Sequence, residues 1–377
     1  MSKSLSSFLL ILSISVFTTA KSQTTAEEYY NAAVTLEDDN KIDDAITSFK
    51  KAVSLNANYT DALYELGWCY NEQGKYSDAM PVLKKATQGS SAAKVYFELG
   101  YAQQYSKNYD DAITTYKKVL ELDNLYASAY KYLGIIYLNT KYDYESARDN
   151  YKNYLLYATQ PDETSIYNLG WCYNQLENYD DAITTLKQAI EKKSDDYDAY
   201  NELGYAYYQK EKAEDAIDAY MQAQRYNAQN ATSFTGLGDV YRVLKGSASS
   251  ALPNYLKAID LNAQSANANY GAGWCYNDKG DYEKAIPYLK KVIEINNQYT
   301  SAMTELGYSY YQLKKYSDGL DILKKAKAIK PTNLSLYYIG LCYVGLGQKS
   351  SAQATYEEMK SHSFDDADNL QKKISAM

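Results

Sequence analysis

Tyr64, Trp68 and Asn71 are separated by four and three residues, the spacing that lines one strip of an α-helix. The same three types return as Tyr167, Trp171 and Asn174, then as Tyr270, Trp274 and Asn277, 103 residues apart each time. Each set overlaps the phrase Gly-Trp-Cys-Tyr-Asn, at Gly67, Gly170 and Gly273, which holds all three tryptophans and three of the four cysteines. A second phrase, Glu-Leu-Gly-Tyr, brings Tyr101, Tyr205 and Tyr308. Tyr and Trp offer broad apolar surface at low entropic cost and dominate binding hot spots. Amide side chains both donate to and accept from a peptide backbone or sugar hydroxyls. The chemistry within reach is therefore non-covalent capture.

Covalent chemistry has little to work with. His362 is the sole histidine, so neither a nucleophile–histidine pair nor a multi-histidine metal site can be assembled. Acidic pairs such as Asp180-Asp181 sit where helices begin. Most glycines fall on a regular lattice or its turns, and no phosphate-cradling loop is left over. The chain reads as non-enzymatic, with no metal and no cofactor.

The elements that position these residues follow from a shorter period. Glycines recur at 67, 100, 134, 170, 204, 238, 273, 307 and 340, and each is followed 12 or 13 residues later by Ala or, once, Gly319. With Ala33 and Ala45 as an earlier pair, this makes ten units of about 34 residues, the mark of a stacked repeat protein. Within a unit, small or apolar residues at positions 4, 7, 8 and 11, then 20, 24 and 27, describe two amphipathic helices joined by a polar turn. Acids open the second helix (Asp43-Asp44, Asp110-Asp111) and lysine pairs close it (Lys50-Lys51, Lys290-Lys291), matching the helix dipole. These lysines read as a solvated face. The fourth and seventh units carry one extra residue before Ala147 and Ala251. The long period groups residues 60–162, 163–265 and 266–360 as three copies of a three-unit block. Residues 361–377 carry an apolar stripe of Phe364, Ala367, Leu370 and Ile374, as a capping helix would.

Leu63, Leu66, Gly67, Tyr70, Gly74, Tyr76, Ala79, Leu83 and Ala86 in the second unit resemble the signature of the tetratricopeptide repeat. Leu169, Gly170, Tyr173, Tyr179, Ala182, Leu186 and Ala189 do so in the fifth, and the ninth unit matches through Leu306, Gly307, Tyr310, Tyr316, Leu323, Ala326 and Pro331. The resemblance covers residues 26–360. It implies an all-α, right-handed solenoid of ten helix-turn-helix repeats over residues 23–360, holding protein or peptide partners in a concave groove. Positions 5, 9 and 12 would face that groove, which makes Tyr64, Trp68, Asn71, Tyr101, Tyr167, Trp171, Asn174, Tyr205, Tyr270, Trp274, Asn277 and Tyr308 its candidate contacts. Three alternatives stay open: rings that only pack on one another, a groove for glycans, and an assembly subunit held by its convex face or ends. The family's lysine-rich grip on a terminal carboxylate is missing, since the groove-side cations Lys94, Lys131 and Arg242 are scattered.

Cys69, Cys172 and Cys275 are three units apart. Helices pack roughly 8–10 Å from their neighbours, so these thiols lie well beyond the ~7 Å Cα separation a disulfide needs. Cys342 is two units from Cys275 and fails as well, so four buried free thiols are expected. Residues 1–22 have the layout of an export signal: Lys3, an apolar run from Phe8 to Phe17, then small residues around Ala20 and Ser22. Cleavage before Lys21 or Gln23 would leave a chain with no transmembrane segment, periplasmic or extracellular. Loss of Lys3 and Lys21 takes the formal charge from −8 to −10. That charge argues against nucleic acid as a partner. The 45 tyrosines suit a shallow core in which hydroxyls reach water.

Overall fold

The computed structural model describes residues 24–377, where twenty-one α-helices and two short π-helical turns occur and no strand. The signal-peptide expectation for residues 1–22 lies outside the described residues. Twenty helices form ten helix–turn–helix pairs, from Ala26–Asp38 with Ile42–Leu55 to Asn333–Gly345 with Lys349–Ser361, and the short helix Ala367–Ser375 follows. The architecture is an all-α repeat solenoid. Two compact units divide it, one reaching Tyr132 and one running from Leu133 to Met377.

Small residues set the spacing within each pair. A Cβ on Gly238 would stand 2.7 Å from Cε1 of Tyr255, and one on Gly170 would stand 2.7 Å from Cγ of Leu186. Both partners sit on the second helix of the same pair and are fully buried. Alanines 79, 112, 147, 182, 216, 251 and 285 are likewise fully buried on the second helices. Two helices with such contacts approach closely, and the larger residues fill the space between pairs. In the unit ending at Tyr132, Phe49, Leu66, Cys69 and Leu83 share one cluster. In the other, Leu169, Cys172, Leu186, Leu203 and Tyr220 do.

In the eight units without an inserted residue, the turn after the first helix closes in the same way. The carbonyl of Tyr70 accepts from the amide of Lys75, that of Tyr173 from Asn178, and that of Tyr310 from Lys315. The residue before that donor has positive φ, whether it is Gly74 (69°), Glu177 (59°) or Lys314 (58°). The extra residue of the fourth and seventh units is absorbed by the π-helical turns Tyr137–Lys141 and Val240–Leu244. There the closing bond spans one residue more, from Asp143 to the carbonyl of Tyr137 and from Ser247 to that of Tyr241. A π-turn is how a helix takes up an inserted residue without losing its phase beyond it. The side chains of Asp143 and Ser247 then cap the helices that follow.

Successive repeats are tied by more than apolar packing. Lys50, Lys187, Lys290 and Lys324 each lie over the ring of a tyrosine in the next repeat (Tyr70, Tyr207, Tyr310 and Tyr343) at 5.4, 5.7, 5.8 and 5.5 Å. Lysine at this position is thus more than a solvated charge in these four repeats. It covers an aromatic face, an interaction worth about 0.5–1 kcal/mol at exposed sites. The four cysteines are buried free thiols, and burial pushes each up to about 12. In helix Ala367–Ser375, Ala367, Leu370 and Ile374 are buried, and Phe364 packs on the same cluster.

Candidate functional site: clefts along the first helices

Aromatic residues at positions 5 and 9 stand half-buried, and each has a defined neighbour. In the unit ending at Tyr132, Lys94 Nζ lies 4.2 Å from the centre of the Tyr64 ring. Trp68 packs against the cluster around Leu66 and Leu83. Tyr101 meets Tyr105, Tyr132 and Tyr76 at 4.5, 5.4 and 6.1 Å. From Leu133 onward, Trp171 stands edge-on to Tyr144 at 5.3 Å, Tyr205 to Tyr179 at 6.3 Å, and Tyr308 to Tyr282 at 5.7 Å. The position-9 ring therefore leans on the tyrosine that opens the second helix of the preceding repeat. Part of each such ring is thus spent on packing. Tyr205 remains more than a third exposed.

Four clefts open beside these rings in the unit from Leu133. One of about 520 Å³ contains Tyr167 and Trp171 with Tyr142, Tyr144 and Leu138. One of about 290 Å³ contains Tyr205 with Glu202, Tyr208 and Asp239. A third, about 270 Å³, contains Tyr270, and a fourth, about 460 Å³, brings together Trp274, Asn277 and Tyr308. The last two share Thr304, Glu305 and Leu334. Carboxylates rim three of the clefts, the one beside Trp171 has none, and each cleft has at least one aromatic ring in its wall. Burial raises the Tyr270 and Tyr308 phenols to about 12. They are neutral donors at any physiological pH.

The asparagines need a correction. Expected to face a ligand, Asn71, Asn174 and Asn277 are instead buried, with 4%, 2% and 4% of their surface exposed. Each spends its amide NH₂ on the next repeat. Asn71 Nδ2 donates to the Glu98 carbonyl at 3.0 Å and to Glu98 Oε2 at 2.8 Å. Asn174 does the same to Glu202 at 3.0 and 2.7 Å, and Asn277 to Glu305 at 3.1 and 2.8 Å. The reason is helical geometry. Position 12 lies one turn beyond the buried glycine at position 8, on the side where the next first helix crosses, rather than on the open strip. Asn277 still reaches the edge of its cleft.

The acceptors of these clasps were not singled out by the sequence reading. Glu98, Glu202 and Glu305 open the Glu-Leu-Gly-Tyr phrase, and its triple recurrence beside Gly-Trp-Cys-Tyr-Asn is the signal that pairs them. Burial raises all three carboxyls above the ordinary range, while the asparagine donor pulls each back down. The scattered cations are also in use. Arg242 donates to the Tyr255 hydroxyl at 2.9 Å and to Asp239 Oδ1 at 3.1 Å, and its guanidinium lies 5.6 Å from the Trp274 ring centre.

Among the described residues no group of His, Cys, Asp and Glu is placed to hold a metal ion, and no helix is long and apolar enough to cross a membrane.

Comparison with known proteins gives a consistent family. Models of the tetratricopeptide repeat match residues 36–89, 93–126, 167–231 and 334–362. A model described as anaphase-promoting complex, cyclosome, subunit 3, matches residues 245–326. A probable UDP-N-acetylglucosamine–peptide N-acetylglucosaminyltransferase SPINDLY from Hordeum vulgare is 30% identical over 101 residues, which are 25% of this chain and 11% of that protein. The chain thus spans about a tenth of that relative's length. Among solved structures, YrrB, described as a TPR protein with an unusual peptide-binding site, is 26% identical, with 47% of this chain and 91% of that one covered and a TM-score of 0.41. PilW, a type IV pilus biogenesis factor, is 17% identical over 56% of this chain and 97% of its own, with a TM-score of 0.49. A tetratricopeptide repeat protein from Parabacteroides merdae is 16% identical over 65% and 98%, with a TM-score of 0.46. With ten helix pairs on a 34-residue lattice and repeat matches near both ends and in the middle, the chain is a tetratricopeptide repeat protein.

Proposed function

We propose that this protein is a non-enzymatic scaffold that captures an extended segment of a protein partner along its first helices, outside the cytoplasm. The observation that carries the reading is the row of half-buried aromatic residues opening onto clefts, with Trp171, Tyr205, Tyr270, Trp274 and Tyr308 each lining one. Clefts walled by rings and rimmed by a few polar groups suit side chains projecting from an extended backbone. The export pattern of Lys3 and Phe8–Phe17 supports a compartment beyond the inner membrane, and the acidic balance disfavours nucleic acid.

The test is panning of the full chain against a phage-displayed random octapeptide library. Enriched peptides are then titrated while tryptophan emission is read. Saturable binding with an emission change is expected, and it should be lost when Trp68, Trp171 and Trp274 are replaced together by Leu, with helicity checked by circular dichroism. An emission change with chito-oligosaccharide and no enrichment of peptides would replace peptide by sugar as the ligand class.

A further inference from the structure

The cleft of about 290 Å³ between the sixth and seventh repeats differs from the other three in holding a buried acceptor without a partner. Its walls are the rings of Tyr205, Tyr208 and Tyr220, and its polar groups include Glu202, Asp239 and Asn201. None of its lining residues is cationic. The Asn201 side chain lines this cleft with only 6% of its surface exposed, and its Oδ1 is buried without a hydrogen-bond partner. An orphaned buried acceptor of this kind is costly, of order 1–3 kcal/mol, and a donor entering the cleft would relieve it.

The carboxylates are unequally compensated. Asp239 Oδ1 already takes the Arg242 guanidinium and the Tyr255 hydroxyl. Glu202 has only the neutral amide of Asn174, on Oε2 at 2.7 Å. The cleft therefore presents one unpaired negative charge, one amide oxygen awaiting a donor, and flat aromatic faces. Gly236 keeps the wall open, since a Cβ there would run into the Tyr220 hydroxyl at 2.7 Å.

The geometry points to this cleft as a pocket for an arginine side chain of the captured segment, with Glu202 and Asn201 Oδ1 as its acceptors and tyrosine rings against the guanidinium plane. A guanidinium is planar, keeps its charge, donates through five N–H groups in fixed directions and stacks on aromatic faces. Those properties match acceptors set apart on two consecutive residues beneath rings. An ammonium has a compact charge and no plane to stack, so lysine fits less well. The volume admits one such side chain, and charge complementarity follows from the acidic balance of the whole chain.

This assignment rests on the peptide-capture reading, and the test separates the two. Octapeptides enriched on the full chain are resynthesised with each arginine replaced by citrulline, its neutral isostere, and titrated against the wild type and Glu202→Gln. The glutamine keeps an oxygen for Asn174, so the clasp and the fold persist. The expected result is enrichment of arginine, one peptide bound per chain, about a 10-fold or greater loss on the citrulline swap, and disappearance of that difference in Glu202→Gln. Equal binding of arginine and citrulline peptides, or an undiminished preference in Glu202→Gln, overturns the arginine pocket. Enriched peptides that lack arginine but need the tryptophans overturn the pocket and leave peptide capture standing. Absence of any enrichment overturns both.

Discussion

The asparagine clasp occurs three times but is complete only once, and the difference can be tested by adding a single oxygen. Each amide points its NH₂ at two acceptors of a glutamate, a carbonyl and a carboxylate oxygen, which fixes its Oδ1 on the other side. In the third block Ser309 donates to Asn277 Oδ1 at 2.7 Å. The equivalent residues in the first and second blocks are Ala102 and Ala206, both fully buried, and there Asn71 Oδ1 and Asn174 Oδ1 have no partner. Ala206→Ser should supply the missing donor in the geometry Ser309 already shows. Pairing a buried orphan carbonyl recovers about 1–3 kcal/mol. Serine for alanine inside a helix gives back about 0.5 kcal/mol, so the net gain is about 1 kcal/mol. In a repeat stack such a gain belongs to one interface and need not show in a global melting curve. Hydrogen exchange read by mass spectrometry is the appropriate assay. Amides of the helices Glu163–Gln175 and Tyr197–Gln209 should exchange about 5-fold more slowly, while those of repeats nine and ten keep their rates. The converse change, Ser309→Ala, should loosen Thr300–Gln312 by a similar factor. Faster exchange around Ala206→Ser would mean that the site has no room for the hydroxyl, and would refute the account of the clasp as an unfinished hydrogen-bond set.

Three further outcomes follow from packing, backbone conformation and charge. Gly238→Ala should lower stability by about 1 kcal/mol. The Cβ meets the rigid, fully buried Tyr255 ring, and overpacking of about 1–3 kcal/mol outweighs the helix-propensity gain of about 1 kcal/mol; unchanged hydrogen exchange in the helices Ala231–Asp239 and Ala248–Leu261 would contradict it. Glu177→Gly should stabilise by about 0.5–1 kcal/mol, because a left-handed residue with a Cβ costs about 1–2 kcal/mol and Gly74, Gly280 and Gly347 hold the same turn position. Glu65, half-buried and near Glu37, has its carboxyl raised to about 7, with burial the larger cause. Its folded-state pKa lies above the ordinary 4.5, so its contribution to stability is full below about 4.5 and is lost as pH rises through about 7. The urea midpoint of the wild type should fall over that window relative to Glu65→Gln, and parallel profiles would remove Glu65 from the pH dependence.

Much of the fold could be read from spacing alone, because the repeat lattice is written in residue sizes. Gly or Ala at positions 8 and 20 marks the close helix contact, and the contacts at Gly170 and Gly238 show why nothing larger is tolerated. The inserted residues before Ala147 and Ala251 were visible as a phase slip. That they become π-turns was not, since helix and loop can each absorb a residue without altering the apolar pattern. Site residues were less legible. An angular argument places positions 5, 9 and 12 on one strip, but it cannot say where the neighbouring helix crosses. Asn71, Asn174 and Asn277 fall just inside that crossing line, and Tyr205 just outside it. The lysines over Tyr70, Tyr207, Tyr310 and Tyr343 show the same limit. Charge pattern alone describes a solvated face, and only the stacking of successive repeats reveals which rings those charges cover.

The three blocks proposed from the 103-residue recurrence share their scaffold residues and differ in their clefts. The residues that hold repeats together (glycine, cysteine, and the clasp of asparagine and glutamate) are the same in all three blocks. Those that line the central pocket are not. Where the second block has Asn201, the first has Phe97, which meets Tyr116, Tyr126 and Tyr132 at 5.7, 5.1 and 5.6 Å and fills the space with aromatic packing. The third has Thr304, whose hydroxyl is already spent on the carbonyl of Thr300 at 3.0 Å. Where the second block has Asp239, the others have Ile135 and Leu341. At these positions the unsatisfied acceptor and the added carboxylate belong to the second block alone. The orphan oxygen of Asn201 costs free energy, whereas Asp239 is compensated by Arg242 and Tyr255. A donor on the proposed ligand that reached Asn201 Oδ1 would offset that cost, which is why the middle block, rather than the repeated tryptophans, carries the sharper claim about what this scaffold holds.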